Sequence, residues 1–165
     1  PVAKRSGLFF FSHLGLARPE VTRYRKRLLE RYRPPEEAKV LLLLPDPGHK
    51  RTRRSRGYKK ALATVCEKLG IDRNMVHVCV YAPPFGVIPS ELEGVYPLSQ
   101  YEYAYPPDCE TAEYVARRVA EYIDAMRYGK TVMLKEDVAW QEKATEICSG
   151  ICHEKGLTFE VLTLG

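Results

Sequence analysis

The chain has 165 residues, of which 45% are hydrophobic and 28% charged, with a net charge of +5 and a pI of about 9.0. These values suit a soluble domain able to bury its own core, and the longest apolar runs are too short to cross a bilayer, so no membrane partner is expected. Five cysteines, an odd number without framework spacing, argue against a disulfide scaffold.

A single α/β domain over residues 1–165 is expected, with 1–17 as an N-terminal extension or an edge strand carried by the run GLFFF. The opening PVAKRSGLFFFSH lacks the apolar core and cleavage site of a signal peptide, which points to the cytoplasm. Pro19 to Tyr32 has helical spacing, with Val21, Tyr24, Leu28 and Tyr32 on one side and basic residues on the others, and Pro34-Pro35 stops it. Lys39 to Leu44 is a continuous apolar run bounded by proline, the pattern of a central parallel strand covered on both faces.

Helical residues resume from Arg56 to Leu69 and stop at Gly70, and Met75 to Tyr81 (MVHVCVY) reads as a second strand. Ala82 to Asp108, rich in proline and tyrosine, reads as a long loop of the kind that is functional or drapes over a site. Glu110 to Tyr128 is an amphipathic helix ended by Gly129, Lys130 to Leu134 a strand, Val138 to Lys155 a helix stopped by Gly156, and Leu157 to Leu164 a last strand. This alternation predicts a three-layer α/β fold, a mostly parallel open sheet with helices on both faces.

In such sheets ligands bind beyond the carboxyl ends of the strands, so the segments Pro45 to Arg54 and Ala82 to Asp108 are expected to line one cleft. Neither a Gly-x4-Gly-Lys-Ser/Thr loop nor a GxGxxG run is present, and no cofactor is expected. Seven of the eleven residues from Lys50 to Lys60 are cationic. Arg51, Arg53, Arg54, Arg56, Lys59 and Lys60 suit phosphate pairing and Tyr58 suits base stacking, which makes tRNA or another structured RNA the expected partner. The alternative is a solvated basic surface of a heat-adapted protein. Asp46 and His49 are acid/base candidates, although an Asp beside Pro and Gly also caps turns.

In the second segment the rings of Phe85, Tyr96 and Tyr101 can stack on a base while Glu91 and Gln100 read its edges; the alternative is a set of structural aromatics. Cys148 and Cys152 stand one helical turn apart beside His153, but a second pair of ligands is missing. They are expected in the core, as are Cys66 and Cys79, and no metal site is expected.

The runs RPEVTRYRKRLLERYRPPEEAKVLLLLP and PPFGVIPSELEGVYPLSQYEY resemble the middle domain of archaeosine synthases, the archaeal tRNA-modifying relatives of tRNA-guanine transglycosylases, from about Arg18 to Ile123. The resemblance implies a role in archaeal tRNA modification. Family members carry a transglycosylase-like region before this domain and an RNA-binding PUA domain after it, so a transglycosylase or a PUA-domain protein is a further expected partner.

The family adds lysine to the nitrile of a preQ0 base, an activity associated with a signature of Pro-Cys, three residues, Lys-Pro-Tyr, two residues, Ser, two residues, His. Here the signature falls on Pro45, Asp46, Lys50, Arg51, Thr52, Ser55 and Tyr58, and matches at Pro45, Lys50 and Ser55. By resemblance, an active chain would be a tRNA-base-modifying transferase with Lys50 at the base or nitrile and Asp46 and Ser55 as the other catalytic candidates.

A second resemblance is to uracil-DNA glycosylases, which share a doubly wound sheet and an Asp-Pro-x-His turn, here Asp46-Pro47-Gly48-His49; their His-Pro-Ser loop has no counterpart. Three functions therefore stay open: an archaeosine-synthase-like domain with its chemistry kept or lost, a non-catalytic RNA-binding subunit of a split enzyme or ribonucleoprotein, and a glycosylase-like enzyme acting on a nucleobase.

Overall fold

A computed structural model describes residues 8–10, 18–46, 54–92, 101–103 and 106–163, with the backbone alone for 8–10, 54–58 and 101–103. In chain order the elements are β1 (Leu8–Phe10), α1 (Pro19–Glu30), β2 (Val40–Pro45), α2 (Arg54–Leu69), β3 (Val76–Ala82), β4 (Gly86–Pro89), β5 (Tyr101–Tyr103), α3 (Cys109–Met126), β6 (Lys130–Lys135), α4 (Ala139–Glu154) and β7 (Phe159–Thr163).

The apolar run of β2 is buried at every residue and occupies the middle of a five-stranded sheet of order β4-β3-β2-β6-β7. Its neighbours β3 and β6 run parallel to it, β7 runs parallel to β6, and β4 alone is antiparallel. Because side chains alternate across a strand, β2 feeds two core layers. Leu41 and Leu43 pack with residues of α1, α3 and α4, among them Val21, Leu28, Val119 and Cys148. Leu42 and Leu44 pack with Ala61 and Val65 of α2. Each fully buried leucine contributes roughly 1.5–3 kcal/mol of hydrophobic stabilisation, which is why an uninterrupted apolar run settles between two helical layers. The expected three-layer, mostly parallel α/β architecture is borne out.

The capping chemistry is local. Asp108 accepts a hydrogen bond from the Thr111 N–H at 2.8 Å and so starts α3, which ends on Arg127 in the left-handed region, φ 55°.

Two expectations change. The segment from Ala82 to Asp108 is not all loop: after a turn at 83–85 the chain doubles back as β4, pairing Val87 with Tyr81 and Pro89 with Cys79. A four-residue strand that ends on a proline has too little alternation to be legible in sequence. Gly86 permits the reversal, since it sits at φ +89° and a Cβ there would lie 2.6 Å from the Arg118 Cβ. The GLFFF run forms β1 but does not extend the main sheet; it pairs in parallel with β5 as a separate two-stranded sheet. No helix among the described residues is long and apolar enough to cross a membrane.

Candidate functional site

From β2 the chain crosses through α2 to β3, whereas from β6 it crosses through α4 to β7, in the opposite direction and on the other face. The carboxyl ends of β2 and β6 therefore bound the topological switch point, where an open α/β sheet parts its loops and leaves a crevice. Asp46 follows directly on β2 at this edge and is completely buried, with its N–H donating to the Tyr81 carbonyl at 3.1 Å.

The far wall is built from β6 and the first turn of α4. Tyr81 reaches across the sheet and donates its O–H to the Leu134 carbonyl at 2.6 Å, and its ring meets Trp140 edge-on at 5.9 Å. Gln141, also fully buried, accepts from the Glu136 N–H at 2.6 Å and donates from Nε2 to the Glu136 carboxylate at 3.3 Å. The backbone at the end of β6 is thus held by buried side chains reaching it from β3 and from α4. Tyr81, Trp140 and Gln141 were not singled out from sequence. Tyr81 and Trp140 look there like ordinary core aromatics, and only the strand order reveals that they meet at this edge.

The other expected site residues separate. Lys59 and Lys60 are exposed on α2, on the opposite face of the sheet from α3 and α4. Arg54, Ser55, Arg56 and Tyr58 lie in the first turns of α2 and Tyr101 in β5, where the backbone alone is described; His49, Lys50, Arg51, Arg53, Tyr96 and Gln100 lie outside the described residues. Phe85 is 3% exposed and packs edge-on against Tyr24 at 5.2 Å, so its ring belongs to the core and presents no face to a base. Glu91 does not join Asp46. The antiparallel return of β4 carries it to the amino-terminal edge of the sheet, beside His77, which is in register with Leu41. Asp46 lies five residues beyond Leu41, about 16 Å further along the strand.

At that opposite edge Glu91 anchors a polar cluster. Tyr32 donates a short hydrogen bond to Glu91, His77 Nε2 lies 3.0 Å from Glu91 Oε1, His77 Nδ1 lies 2.6 Å from the Tyr128 hydroxyl, and the Tyr122 and Tyr128 hydroxyls are 2.8 Å apart. One direction satisfies the chain throughout: Tyr122 donates to Tyr128, Tyr128 to Nδ1, and the Nε2–H to the carboxylate. Burial pushes the Glu91 carboxyl up, but the hydrogen bonds from His77 and Tyr32 outweigh it and hold it at about 2. Burial raises Tyr32, Tyr122 and Tyr128 above the ordinary phenol value, so all three stay neutral donors. His77 had a signal in the sequence, as the one polar residue inside MVHVCVY.

Cys148 and Cys152 are fully buried in the core, as expected, and so is Cys79. Among the described residues no group of three or more His, Cys, Asp or Glu side chains is placed to hold a metal ion.

Fold and strand order define the class: a doubly wound α/β domain with its topological switch point between β2 and β6. The chain belongs to the family described as Domain of unknown function (DUF5591), matched over residues 21–163. It is 31% identical over 159 residues to the archaeosine synthase subunit alpha of Methanosarcina acetivorans, covering 95% of this chain and 24% of that one. It is 38% identical over 93 residues to the archaeosine synthase subunit alpha of Thermococcus kodakarensis, covering 56% of this chain and 16% of that one. With the tRNA-guanine(15) transglycosylase of Saccharolobus solfataricus it shares 30% identity over 128 residues, 78% of this chain and 24% of the relative. The chain thus spans about a quarter or less of these relatives, and the expected resemblance to archaeosine synthases is borne out at that level. No solved structure matches it.

Proposed function

We propose that the chain serves tRNA modification as an archaeosine-synthase-like domain that grips RNA with the basic segment 50–60, and that lysine transfer to the base has been lost from its own loop. The observation that carries this is positional: the segment with seven cations in eleven residues begins four residues after Asp46 in the sequence, and Asp46 follows β2 at the switch-point edge. A polyanion drawn to those cations is brought near the carboxyl end of β2, the edge where open α/β sheets bind ligands. The relatives named as archaeosine synthases and transglycosylases supply tRNA as the RNA class. Loss of the transfer step is supported by Asp46, Arg51, Thr52 and Tyr58, which stand where the signature has Cys, Pro, Tyr and His.

Two measurements test it. Affinity for unfractionated archaeal tRNA should fall steeply with salt, by a log–log slope of about −0.7 to −0.9 per phosphate neutralised. Flat affinity from low to moderate salt would remove the RNA half of the proposal. Labelled lysine offered with preQ0-containing tRNA should not be incorporated; incorporation that Lys50→Ala abolishes would show the chemistry to be intact.

A further inference from the structure

Helix α1 carries a second basic face, on the layer of the sheet opposite to α2. Its inner stripe of Val21, Tyr24 and Leu28 is buried, and the Tyr24 hydroxyl donates to the Val87 carbonyl at 2.6 Å, which fixes the rotation of the helix about its axis. Arg25 forks onto Glu121 of α3 at 2.9 and 2.5 Å and holds the helix laterally. What remains outward is set by that anchoring. Arg23, Lys26, Arg27 and Arg31 are exposed and, with Glu30, line an open cavity of about 580 Å³.

Arg23, Arg27 and the C-cap residue Arg31 recur at four-residue steps over about 12 Å and form a row, with Lys26 beside it three residues after Arg23. Neighbouring Arg18 and Arg25 are ion-paired, to Glu20 and Glu121. Among the described residues no carboxylate is ion-paired to Arg23, Lys26, Arg27 or Arg31. Like charges four residues apart disfavour a helix, and Arg23, Arg27 and Arg31 repeat that spacing twice, so a bound polyanion would relieve a repulsion already present. Guanidinium groups in a row suit phosphate oxygens because each can pair through two N–H groups. The tyrosine that α1 does carry, Tyr24, points inward, so the face offers charge without a stacking ring.

We propose, building on RNA as the partner of this domain, that the outer face of α1 is a second phosphate-binding surface, distinct from segment 50–60. Contacts there go to the sugar-phosphate backbone and are indifferent to base sequence. Since α1 and α2 cover opposite faces of the sheet, an RNA that meets both surfaces has to pass around the molecule. That geometry suits a folded RNA rather than a short single strand.

The test is binding of unfractionated tRNA to the full chain across a salt series, with two charge-neutralised variants. One carries Arg23→Gln, Lys26→Gln, Arg27→Gln and Arg31→Gln; the other carries Arg51→Gln, Arg53→Gln, Arg54→Gln and Arg56→Gln. The α1 variant should bind at least about tenfold more weakly at low salt, with a salt slope shallower by about two to four. The single changes Arg27→Gln and Arg31→Gln should each reduce the slope by about one, which keeps the test valid if the fourfold variant folds poorly.

Wild-type affinity in the α1 variant, alongside weakened binding in the loop variant, would overturn the α1 surface and leave segment 50–60 standing. Weakened α1 binding with an unaffected loop variant would support the α1 surface and overturn the loop as the grip. No binding of tRNA by the wild-type chain at low salt would overturn both, and an α1 variant that loses affinity for anionic lipid vesicles alone would overturn the α1 surface as an RNA site.

Discussion

Glu91 Oε1 lies 3.0 Å from His77 Nε2, a contact that ties the turn after β4 to the second residue of β3 and brings Tyr32, just past α1, into the same cluster. The carboxylate in this bond titrates well below its ordinary value of 4.5, at about 2. A depressed folded-state value stabilises the protein fully above the unfolded value and loses that contribution as pH falls toward the folded one. Thermal melts should therefore fall more steeply in wild type than in Glu91→Gln as pH drops from about 5 to about 2. The difference should be modest, since Glu91 keeps 45% of its side chain exposed. Parallel curves would show that the carboxylate contributes no charge-dependent stability here.

Gly86→Ala should destabilise the fold by about 1–3 kcal/mol, because a Cβ there is disfavoured at φ +89° and also meets the Arg118 Cβ at 2.6 Å. Urea unfolding measures this. Adding Arg118→Ala should give no rescue, since the contacting atom is the one that alanine retains.

Tyr81→Phe removes the donor that reaches the Leu134 carbonyl across β2. The expected loss is about 1–3 kcal/mol, with the aromatic contact to Trp140 preserved. Denaturant unfolding should register the loss, whereas an unchanged midpoint would mean the hydroxyl does not secure the end of β6.

Asp108→Ala should cost about 1 kcal/mol through the lost cap on α3, and Asp108→Asn should restore most of it because an amide oxygen can accept from the Thr111 N–H. Equal instability of both variants would point to a role for the charge instead.

Layering was legible in the sequence where burial is uniform. LLLL is too apolar for a half-exposed strand, and the stripes of α1 and α3 repeat at helical spacing, so β2 and its covering helices could be placed from pattern alone. The path after β3 was not legible. Phe85 and Glu91 carry the residue types of a base-binding loop, yet direction decides their roles, and direction depends on a strand of four residues. Once β4 runs antiparallel, the ring falls under Tyr24 and the carboxylate falls beside His77, at the edge away from Asp46. Of the expected phosphate contacts, Lys59 and Lys60 could be placed on α2 by helical spacing, but which layer α2 occupies follows only from the crossovers.

The Tyr24 bond to Val87 makes the edge strand the mount on which α1 is aimed. The bearing of Arg23, Arg27 and Arg31 toward solvent is then set partly by β4, beside the buried stripe of the helix and its Arg25–Glu121 tie to α3. A lesion confined to the turn at Gly86 would loosen that mount without altering a single charge, so a loss of function there would arise from misdirection while net charge and helix content stay intact.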